Sequence, residues 1–272
     1  MLIRSMTRIL TVALLLSVFL AIPALTAGNL GQCTTLLKSL NDDGDRFGDT
    51  PLGCIAADAL RAAADADLAL FPAGMLGGNM EAGSITEETL AGCYPREEPV
   101  LRVTLDWAEL KTVLEYCAAG VVFDERAERV DKAASSDALF PQVSGIELSY
   151  DLSGPSGDRV WSVTPAGGER MRDFPPNGAV VLAFPMSLTD VVTTASAGSP
   201  EDTGATVRSA VTQYITASGG TLPVSEFSRR VTLLGTGNNP LIGGISPLFW
   251  VLFALVVLIF SGARYRKKVR GR

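Results

Sequence analysis

The sequence predicts an exported α/β domain, followed by one C-terminal transmembrane helix. Three observations predict this architecture: helical and strand patterns alternate between residues 50 and 235, an apolar run follows basic residues near the N-terminus, and an uncharged apolar run precedes a basic tail. Apolar residues make up 47% of the 272 residues, so the chain can bury a substantial core.

The first 27 residues have the pattern of an export signal. Arg4 and Arg8 precede an apolar run from Ile9 to Ile22, and small residues continue through Ala27. We therefore expect a signal peptide over residues 1–27. An uncleaved anchor helix is the alternative, but the apolar run is shorter than the ~20 residues that a bilayer span requires.

Residues 28–49 are rich in Asp and Gly and predict an acidic lead-in loop. Four residues have the spacing of the oxygen ligands in some calcium loops: Asn41, Asp43, Asp45 and Asp49. Arg46, however, stands where such loops have Gly, and no Glu follows to complete the ligand set. A solvated loop is the preferred interpretation, and no metal site is predicted.

The first half of the domain predicted over residues 50–235 begins with a helix. Apolar residues recur at intervals of three and four from Leu52 to Ala63, which is typical of an amphipathic helix. A short strand follows at Asp67–Phe71, and the Gly-rich segment 72–80 then turns the chain.

Two capping patterns predict the next helices. Thr86 is suited to cap a short helix, EETLAG, after which Val100–Leu105 predicts a strand. Asp106 with Glu109 three residues later predicts a capping box at the start of a helix.

The second half is predicted to contain one helix, at Thr206–Ala217, among four strands. The strands are expected near residues 145–152, 159–164, 179–184 and 229–234. Residues 236–244 consist of turn formers and predict a linker.

Residues 245–263 contain no charged side chain and are long enough to cross a hydrocarbon core of ~30 Å. The tail, residues 264–272, contains six basic residues, and the positive-inside rule places it in the cytoplasm. We expect a single-pass protein of the cell envelope, held in the membrane by this helix with its domain outside the cytoplasm. A buried globular helix and a cleaved sorting signal marked by Gly243 and Gly244 are the alternatives.

The charge of the exported part excludes some function classes. Because two basic residues lie in the predicted signal and six in the tail, 15 Lys and Arg remain against 29 Asp and Glu, a formal charge of −14. This negative field disfavours binding of a nucleic-acid polymer. Histidine is absent, so Ser–His–Asp catalysis is excluded and a zinc site has little support. We predict no catalytic residue and no cofactor.

Four cysteines lie in the part predicted to be exported: Cys33, Cys54, Cys93 and Cys117. An oxidising compartment permits disulfides, and four cysteines allow three pairings. We expect Cys33 to pair with Cys54 and Cys93 with Cys117, because shorter loops close at a lower entropic cost.

The order of these segments resembles the C-terminal domain of 5'-nucleotidases. The resemblance covers about residues 50–235 and rests on PLGCIAADALRAAADADLALFPAG, AGSITEETLAGCYP, VLRVTLDWAELKTVLEYC, LFPQVSGIELSYDLSGPSGDRVWSVT and YITASGGTLPVSEFSRRVTLLG. It implies a sandwich of mixed sheet and helices. Family members mostly carry an N-terminal metallophosphoesterase domain whose His, Asp and Asn side chains hold two metals. Nothing in this sequence corresponds to that domain, and 272 residues without histidine lack its imidazole ligands.

The resemblance also implies a nucleoside pocket, made in the family by an Arg at the end of the Gly-rich loop and by two aromatic rings. Here the Gly-rich loop lacks that Arg, and Arg96 follows Pro95 where the first ring is expected. Phe184 stands near the position of the second ring. Arg96 and Phe184 are therefore the predicted ligand-binding residues. The alternatives are a solvated turn Arg and a core Phe.

Three functions remain open on the sequence. The first is a tethered module without catalysis of its own, which binds a small nucleotide or nucleoside or assists a separate metallophosphoesterase. The second is the specificity half of a split nucleotide hydrolase in nucleotide catabolism. The third is a structural envelope protein with a degenerate pocket.

Overall fold

A five-stranded mixed sheet forms the centre of the domain in the computed structural model, which describes residues 28–174, 178–222 and 230–234. Its strands are β2 (Leu68–Pro72), β4 (Pro99–Asp106), β7 (Pro141–Ser144), β10 (Ala179–Pro185) and β11 (Glu201–Thr206). They lie in the order β11-β4-β10-β2-β7. Strand β10 runs parallel to β2 and antiparallel to β4, so the sheet is mixed as predicted.

Strand β2 shows why the sheet has apolar packing on both faces. All of its residues are buried, and successive side chains of a strand point to opposite faces. Leu68 and Leu70 belong to one apolar cluster, whereas Ala69 and Phe71 belong to the other. The continuous apolar run LALF therefore predicts a strand covered on both sides.

Five helices lie in the described residues: α1 (Pro51–Ala63), α2 (Glu87–Cys93), α3 (Trp107–Ala118), α4 (Thr189–Ala195) and α5 (Val207–Ala217). Helices α1 and α5 supply the cluster on the Phe71 face. Helix α3 supplies much of the cluster on the Leu70 face. The sheet is thus the middle layer between helices.

Four of the five described helices begin at a residue whose side chain caps them, and α4 begins without such a cap. Thr50 accepts a hydrogen bond at its hydroxyl from the Gly53 amide (3.1 Å). Asp106 and Glu109 form the predicted capping box, with 2.8 and 2.9 Å between donors and acceptors. Each cap satisfies backbone amides that have no partner within the helix.

A second sheet has the strands β8 (Ile146–Asp151), β9 (Val160–Pro165) and β12 (Val231–Leu234), in the order β12-β8-β9. Arg230, just before β12, donates to both carboxylate oxygens of Asp58 in α1, at 2.7 and 2.9 Å. Asp58 also accepts from the Ser144 hydroxyl (2.6 Å). This pair therefore joins the second sheet to α1 and to β7.

Two further sheets have two strands each. One pairs β1 (Gly31–Cys33) with β3 (Gly83–Ile85), and the other pairs β5 (Phe123–Asp124) with β6 (Arg129–Val130). The first lies against the α5 side of the domain, because a Cβ added at Gly31 would approach Ile215 to 2.6 Å. The lead-in segment thus contains a strand instead of being a loop throughout.

The mixed α/β fold is confirmed, together with the predicted helices and strands of residues 50–222 and the strand that ends at Leu234. Several elements were not predicted, among them β1, β7, α4 and β11. Strand β11, EDTGAT, is polar and exposed along much of its length, so it has no hydrophobic pattern. It is a strand because it pairs with β4.

The predicted signal peptide, linker, transmembrane helix and basic tail lie outside the described residues. Within residues 28–174, 178–222 and 230–234, no helix is both long and apolar enough to span a bilayer.

The predicted disulfides are not formed. Cys33, Cys54, Cys93 and Cys117 are all buried thiols. Cys93 lies in the apolar cluster that contains Phe71, whereas Cys117 lies in the cluster that contains Leu70. Because the central sheet separates these clusters, the pairing of Cys93 with Cys117 is wrong. A short separation along the chain did not predict the disulfide pairing, because strand β4 lies between the two residues and places them on opposite faces of the central sheet.

Candidate functional site

The carboxyl ends of β2 and β10 meet at one edge of the central sheet, which we call the strand-end edge. Each strand is followed at once by a 3-10 turn, at Ala73–Met75 and Met186–Leu188. The Ser187 hydroxyl donates to the sulfur of Met75 (3.2 Å), so the two turns touch. The carboxyl ends of parallel strands are the usual place for ligands in α/β sheets, which makes this edge the candidate site.

The Gly-rich loop after β2 is held tightly against the end of α2. The Gly77 amide donates to the Cys93 carbonyl (2.8 Å) and the Gly78 amide to the Gly92 carbonyl (3.0 Å). A Cβ added at Gly77 would lie 2.1 Å from the Gly92 oxygen. Glycine is therefore required at this close approach of two backbones.

Arg96, the first predicted ligand-binding residue, is exposed in the segment between α2 and β4. The two residues that follow it, Glu97 and Glu98, are acidic, and both reach the strand-end edge. The Glu98 carboxylate accepts from the Ser187 amide (2.8 Å), and Glu97 forms an ion pair with Arg208 at the start of α5. The position where a ring is expected thus carries a solvated cation beside two carboxylates.

Phe184, the second predicted residue, is fully buried in β10. It pairs with Leu101 of β4 and belongs to the apolar cluster on the α3 face. In this position its ring offers no surface on which a nucleoside base could stack. The structure therefore does not bring Arg96 and Phe184 together in one cleft.

Arg46 was not predicted as a site residue, yet it contacts the Gly-rich loop. Its guanidinium donates to the Gly77 carbonyl (3.2 Å), its Nε donates to the Ser39 carbonyl (3.2 Å), and it lies 3.6 Å from the Asp137 carboxylate. Gly77 and Asp137 are far from Arg46 in the sequence, and no sequence pattern predicts the contact with Ser39. The one available signal was a basic residue where a calcium loop requires Gly.

Two carboxylates of the acidic lead-in segment bind other groups of the protein, and these are Asp45 and Asp49. The Asp45 carboxylate accepts from the Asn41 amide (2.6 Å) and lies 2.8 Å from the Lys132 ammonium. The Asp49 carboxylate accepts from the amides of Arg230 (2.6 Å) and Val231 (3.0 Å). Within the described residues, no group of three or more His, Cys, Asp or Glu side chains is placed to hold a metal ion.

The thiols are poor nucleophiles. Burial raises the pKa of Cys117 to about 12, and burial, reinforced by the charge of Cys33, raises the pKa of Cys93 to about 11. Burial also raises the pKa of Cys54, with the Asp49 carboxylate as the second cause. Since thiolate is the reactive form, these residues are protonated and inert at neutral pH.

Two surface cavities lie away from the strand-end edge. One of about 440 Å³ is lined by α3 residues and by the β8–β9 turn, including Lys111, Tyr116 and Ser156. The other, of about 460 Å³, lies beside the starts of β2 and β10 and is lined by Asp65, Arg102 and their neighbours. Neither cavity is lined by Arg96 or Phe184.

Comparison with known proteins gives one family. The sequence pattern of the 5'-nucleotidase C-terminal domain matches residues 29–175, more than half of the 272 residues. No curated protein matches the chain in sequence.

Solved structures share the fold at low identity. A 5'-nucleotidase precursor of Thermus thermophilus superposes with a TM-score of 0.63 at 19% identity over 83% of this chain and 43% of its own. The NAD nucleotidase of Haemophilus influenzae gives 0.58 at 15% over 75% and 38%. The sulfate thiohydrolase SoxB of Thermus thermophilus gives 0.52 at 19% over 76% and 35%. The chain thus spans less than half the length of each, and the likeness shows the fold alone.

Proposed function

Because the chain belongs to the family of 5'-nucleotidase C-terminal domains, we propose that it is a non-catalytic accessory module, tethered outside the cytoplasm, which assists a metallophosphoesterase. One observation carries this proposal. The strand-end edge keeps the Gly-rich loop and both 3-10 turns, but Arg96 stands where the family has a ring, and Glu97 and Glu98 follow it. The proposed module thus has the fold of the specificity domain but lacks the side chains that bind a nucleoside in the family.

Electrostatics support an accessory role over direct nucleotide binding. Glu97 neutralises Arg208 at this edge, and Glu98 adds a second carboxylate beside the Ser187 amide. A nucleoside phosphate would meet these carboxylates, and like charges repel. Stacking is worth only ~1–3 kcal/mol per base, and the buried Phe184 ring does not supply it.

The absence of histidine supports the lack of independent catalysis. A two-metal phosphoesterase requires side chains that hold both ions and activate water. The 272 residues contain no imidazole, and the described part contains no cluster of carboxylates and thiols suited to a metal ion. In this proposal the chemistry comes from a separate metallophosphoesterase.

A phosphate-release assay with AMP and Mn²⁺ tests this proposal. We expect no release by the purified chain alone, and an increase in the rate or nucleotide selectivity of a metallophosphoesterase encoded beside its gene when the chain is added. Calorimetry with AMP and adenosine should give no heat at millimolar ligand. Metal-dependent turnover by the isolated chain would overturn the proposal, and micromolar nucleotide binding would replace it with a ligand-binding role.

The tether rests on the apolar residues 245–263 and the basic tail behind them. We expect the intact chain to fractionate with membranes and its domain to be digested by protease added outside intact cells. A truncation before residue 245 should be released. Digestion of the tail instead of the domain would show the opposite orientation, with the domain in the cytoplasm.

A structural envelope protein with a degenerate pocket is the second candidate. The burial of Phe184 favours it, because a side chain that has become part of the core no longer serves a ligand. This candidate predicts that deletion of the gene changes envelope integrity and leaves nucleotide hydrolysis unchanged.

A further inference from the structure

The last described strand ends beside the turn that connects β8 to β9. In the parallel pairing of β12 with β8, Leu234 lies opposite Asp151, and residues 152–159 form the turn that follows Asp151. The predicted linker begins directly after Leu234. The chain therefore leaves the domain next to this turn.

The length of the linker decides which part of the domain can reach the membrane. Residues 235–244 stand between Leu234 and the apolar run 245–263. A flexible chain of this length spans ~17 Å on average and at most ~36 Å when fully extended. A domain of about 200 residues is about 40 Å across. With residues 245–263 across the bilayer, as the proposed tether requires, the turn between β8 and β9 is held on the membrane side of the domain.

The end of α3, the 152–159 turn and the start of β9 form one surface, which we call the tether-side surface. Arg159 holds its parts together, because its guanidinium donates to the Ala118 and Val121 carbonyls at the end of α3 (3.0 and 2.6 Å). The buried Glu115 carboxylate accepts from the Arg159 amide in return (2.9 Å). Hydrogen bonds between the helix and the turn thus fix the shape of this surface.

Large apolar side chains are exposed on the tether-side surface. Tyr116 is 44% exposed near the end of α3, Val122 is 42% exposed just beyond it, and Trp161 is 41% exposed at the start of β9. Tyrosine and tryptophan carry a polar group on an apolar ring and are enriched where a membrane meets water. Their exposure therefore suits a surface that lies against a bilayer.

Charged groups on this surface have compensating neighbours. The Lys111 ammonium lies 3.3 Å from the Asp158 carboxylate, and the Arg172 guanidinium lies 4.3 Å from the centre of the Trp161 ring. A surface with paired charges and exposed aromatic rings matches zwitterionic headgroups better than a strongly charged partner.

The cavity of about 440 Å³ between α3 and the turn opens on the tether-side surface. Its lining includes Lys111, Thr112, Tyr116 and Ser156. The ammonium and the hydroxyl groups are donors that suit phosphate oxygens, and the Tyr116 ring offers an apolar face beside them. The volume falls within the ~300–1,000 Å³ of small-ligand sites.

We propose that the tether-side surface rests on the outer face of the membrane that holds the chain, with a phospholipid headgroup in the cavity between α3 and the turn. The tether confines the domain to the neighbourhood of one membrane, so even weak contacts with that membrane are populated. The inference rests on the tether of the proposed function and adds the face of the domain that meets the lipid. It does not depend on the accessory role.

Fluorescence quenching of the full chain in nanodiscs tests the proposal. Ala119, an exposed residue that lines the cavity, is replaced by cysteine and labelled with bimane, while the four native thiols are buried and stay unlabelled. The discs contain phosphatidylcholine and a lipid with a nitroxide on its headgroup. We expect quenching at Ala119→Cys to be roughly threefold or more that at Asp202→Cys, because a nitroxide acts over distances much shorter than a domain about 40 Å across.

Asp202→Cys is the matched control because of its place in the fold. Asp202 is exposed in β11, at the edge of the central sheet opposite to β7, whereas Arg230 joins the second sheet to β7 through the Val143 carbonyl. In the labelled Ala119→Cys chain, Tyr116→Ala and Trp161→Ala should each lower the quenching. Leu36→Ala, which removes an apolar side chain of similar exposure (43%) in the lead-in segment, should leave it unchanged.

The outcomes separate this inference from the tether. Equal quenching at Ala119→Cys and Asp202→Cys in discs that hold the chain would disprove the inference and leave the tether standing. Failure of the intact chain to co-elute with the discs would disprove both. Quenching at Ala119→Cys that appears only in discs with two chains would assign the surface to a second copy of the chain and overturn the lipid contact.

Discussion

Phe184 and Met186 lie two residues apart at the end of β10, but they belong to different regions of the molecule. The Phe184 side chain is fully buried, whereas Met186 is 50% exposed at the strand-end edge. Two ion pairs show the same contrast. Arg230 and Asp58 form two hydrogen bonds inside a network, whereas Arg208 and Glu97 make a single contact at the edge.

The difference shows which contacts the fold depends on. The interior pair joins the second sheet, α1 and β7, and Arg230 also donates to the Val143 carbonyl (3.1 Å). The edge pair joins a connecting segment to the start of one helix. Interior changes should therefore alter stability, and changes at the edge should alter recognition with little effect on stability.

The largest effect is expected from Phe184→Ala. Removing a fully buried ring leaves a cavity, and the free energy of unfolding should fall by about 3–5 kcal/mol in urea denaturation. Met186→Ala is the matched control and should change it by less than ~0.5 kcal/mol. A small effect at Phe184 would mean that the ring lies at a ligand surface and not in the core.

The next effect is expected from Asp58→Asn. The Arg230 guanidinium would lose its charged partner in a site where the two side chains are 18% and 14% exposed. Leaving one charge of such a pair uncompensated should cost about 3 kcal/mol of unfolding free energy. An unchanged urea midpoint would contradict the role of this pair in joining the two sheets.

Alkaline pH should weaken the interior through Cys117. Its pKa is raised to about 12 by burial, so the folded protein keeps the proton where the unfolded chain loses it, above about pH 9. Stability is therefore lost as pH rises from about 9 towards 12. Between pH 9.5 and 11, reduced wild-type protein should lose about 1 kcal/mol per pH unit more than Cys117→Ala. Parallel pH profiles would show that Cys117 is accessible.

The smallest effect is expected from Glu97→Gln. Glu97 is 35% exposed and Arg208 is 26% exposed, so solvent screens their attraction. The unfolding free energy should fall by less than ~0.5 kcal/mol, and 0.5 M salt should remove most of the difference. A loss comparable with that of Asp58→Asn would remove the distinction between the edge and the interior.

Four of the five described helices could be predicted because their signals are local. The apolar spacing from Leu52 and the capping box of Asp106 and Glu109 depend on residues within a few positions of each other. Strand β11 and helix α4 could not, because their sequences are polar or short and their conformations come from neighbours in space.

The candidate site was less predictable than the fold. Its edge follows from the Gly-rich segment and from the end of the apolar strand at Phe184, both visible in the sequence. The burial of Phe184, the ion pair of Glu97 with Arg208 and the contact of Arg46 with Gly77 depend on how the layers pack.

By itself, the sequence determined the order of most helices and strands, the acidic character of residues 28–244, the absence of imidazole and the resemblance to one domain family. Only the tertiary structure decided which side chains meet. It separated Cys93 from Cys117 by a sheet and joined Asp58 to Arg230 across 172 positions of the chain. The physical reason is that capping and periodicity act over a few residues, whereas contacts between layers depend on how distant segments pack together.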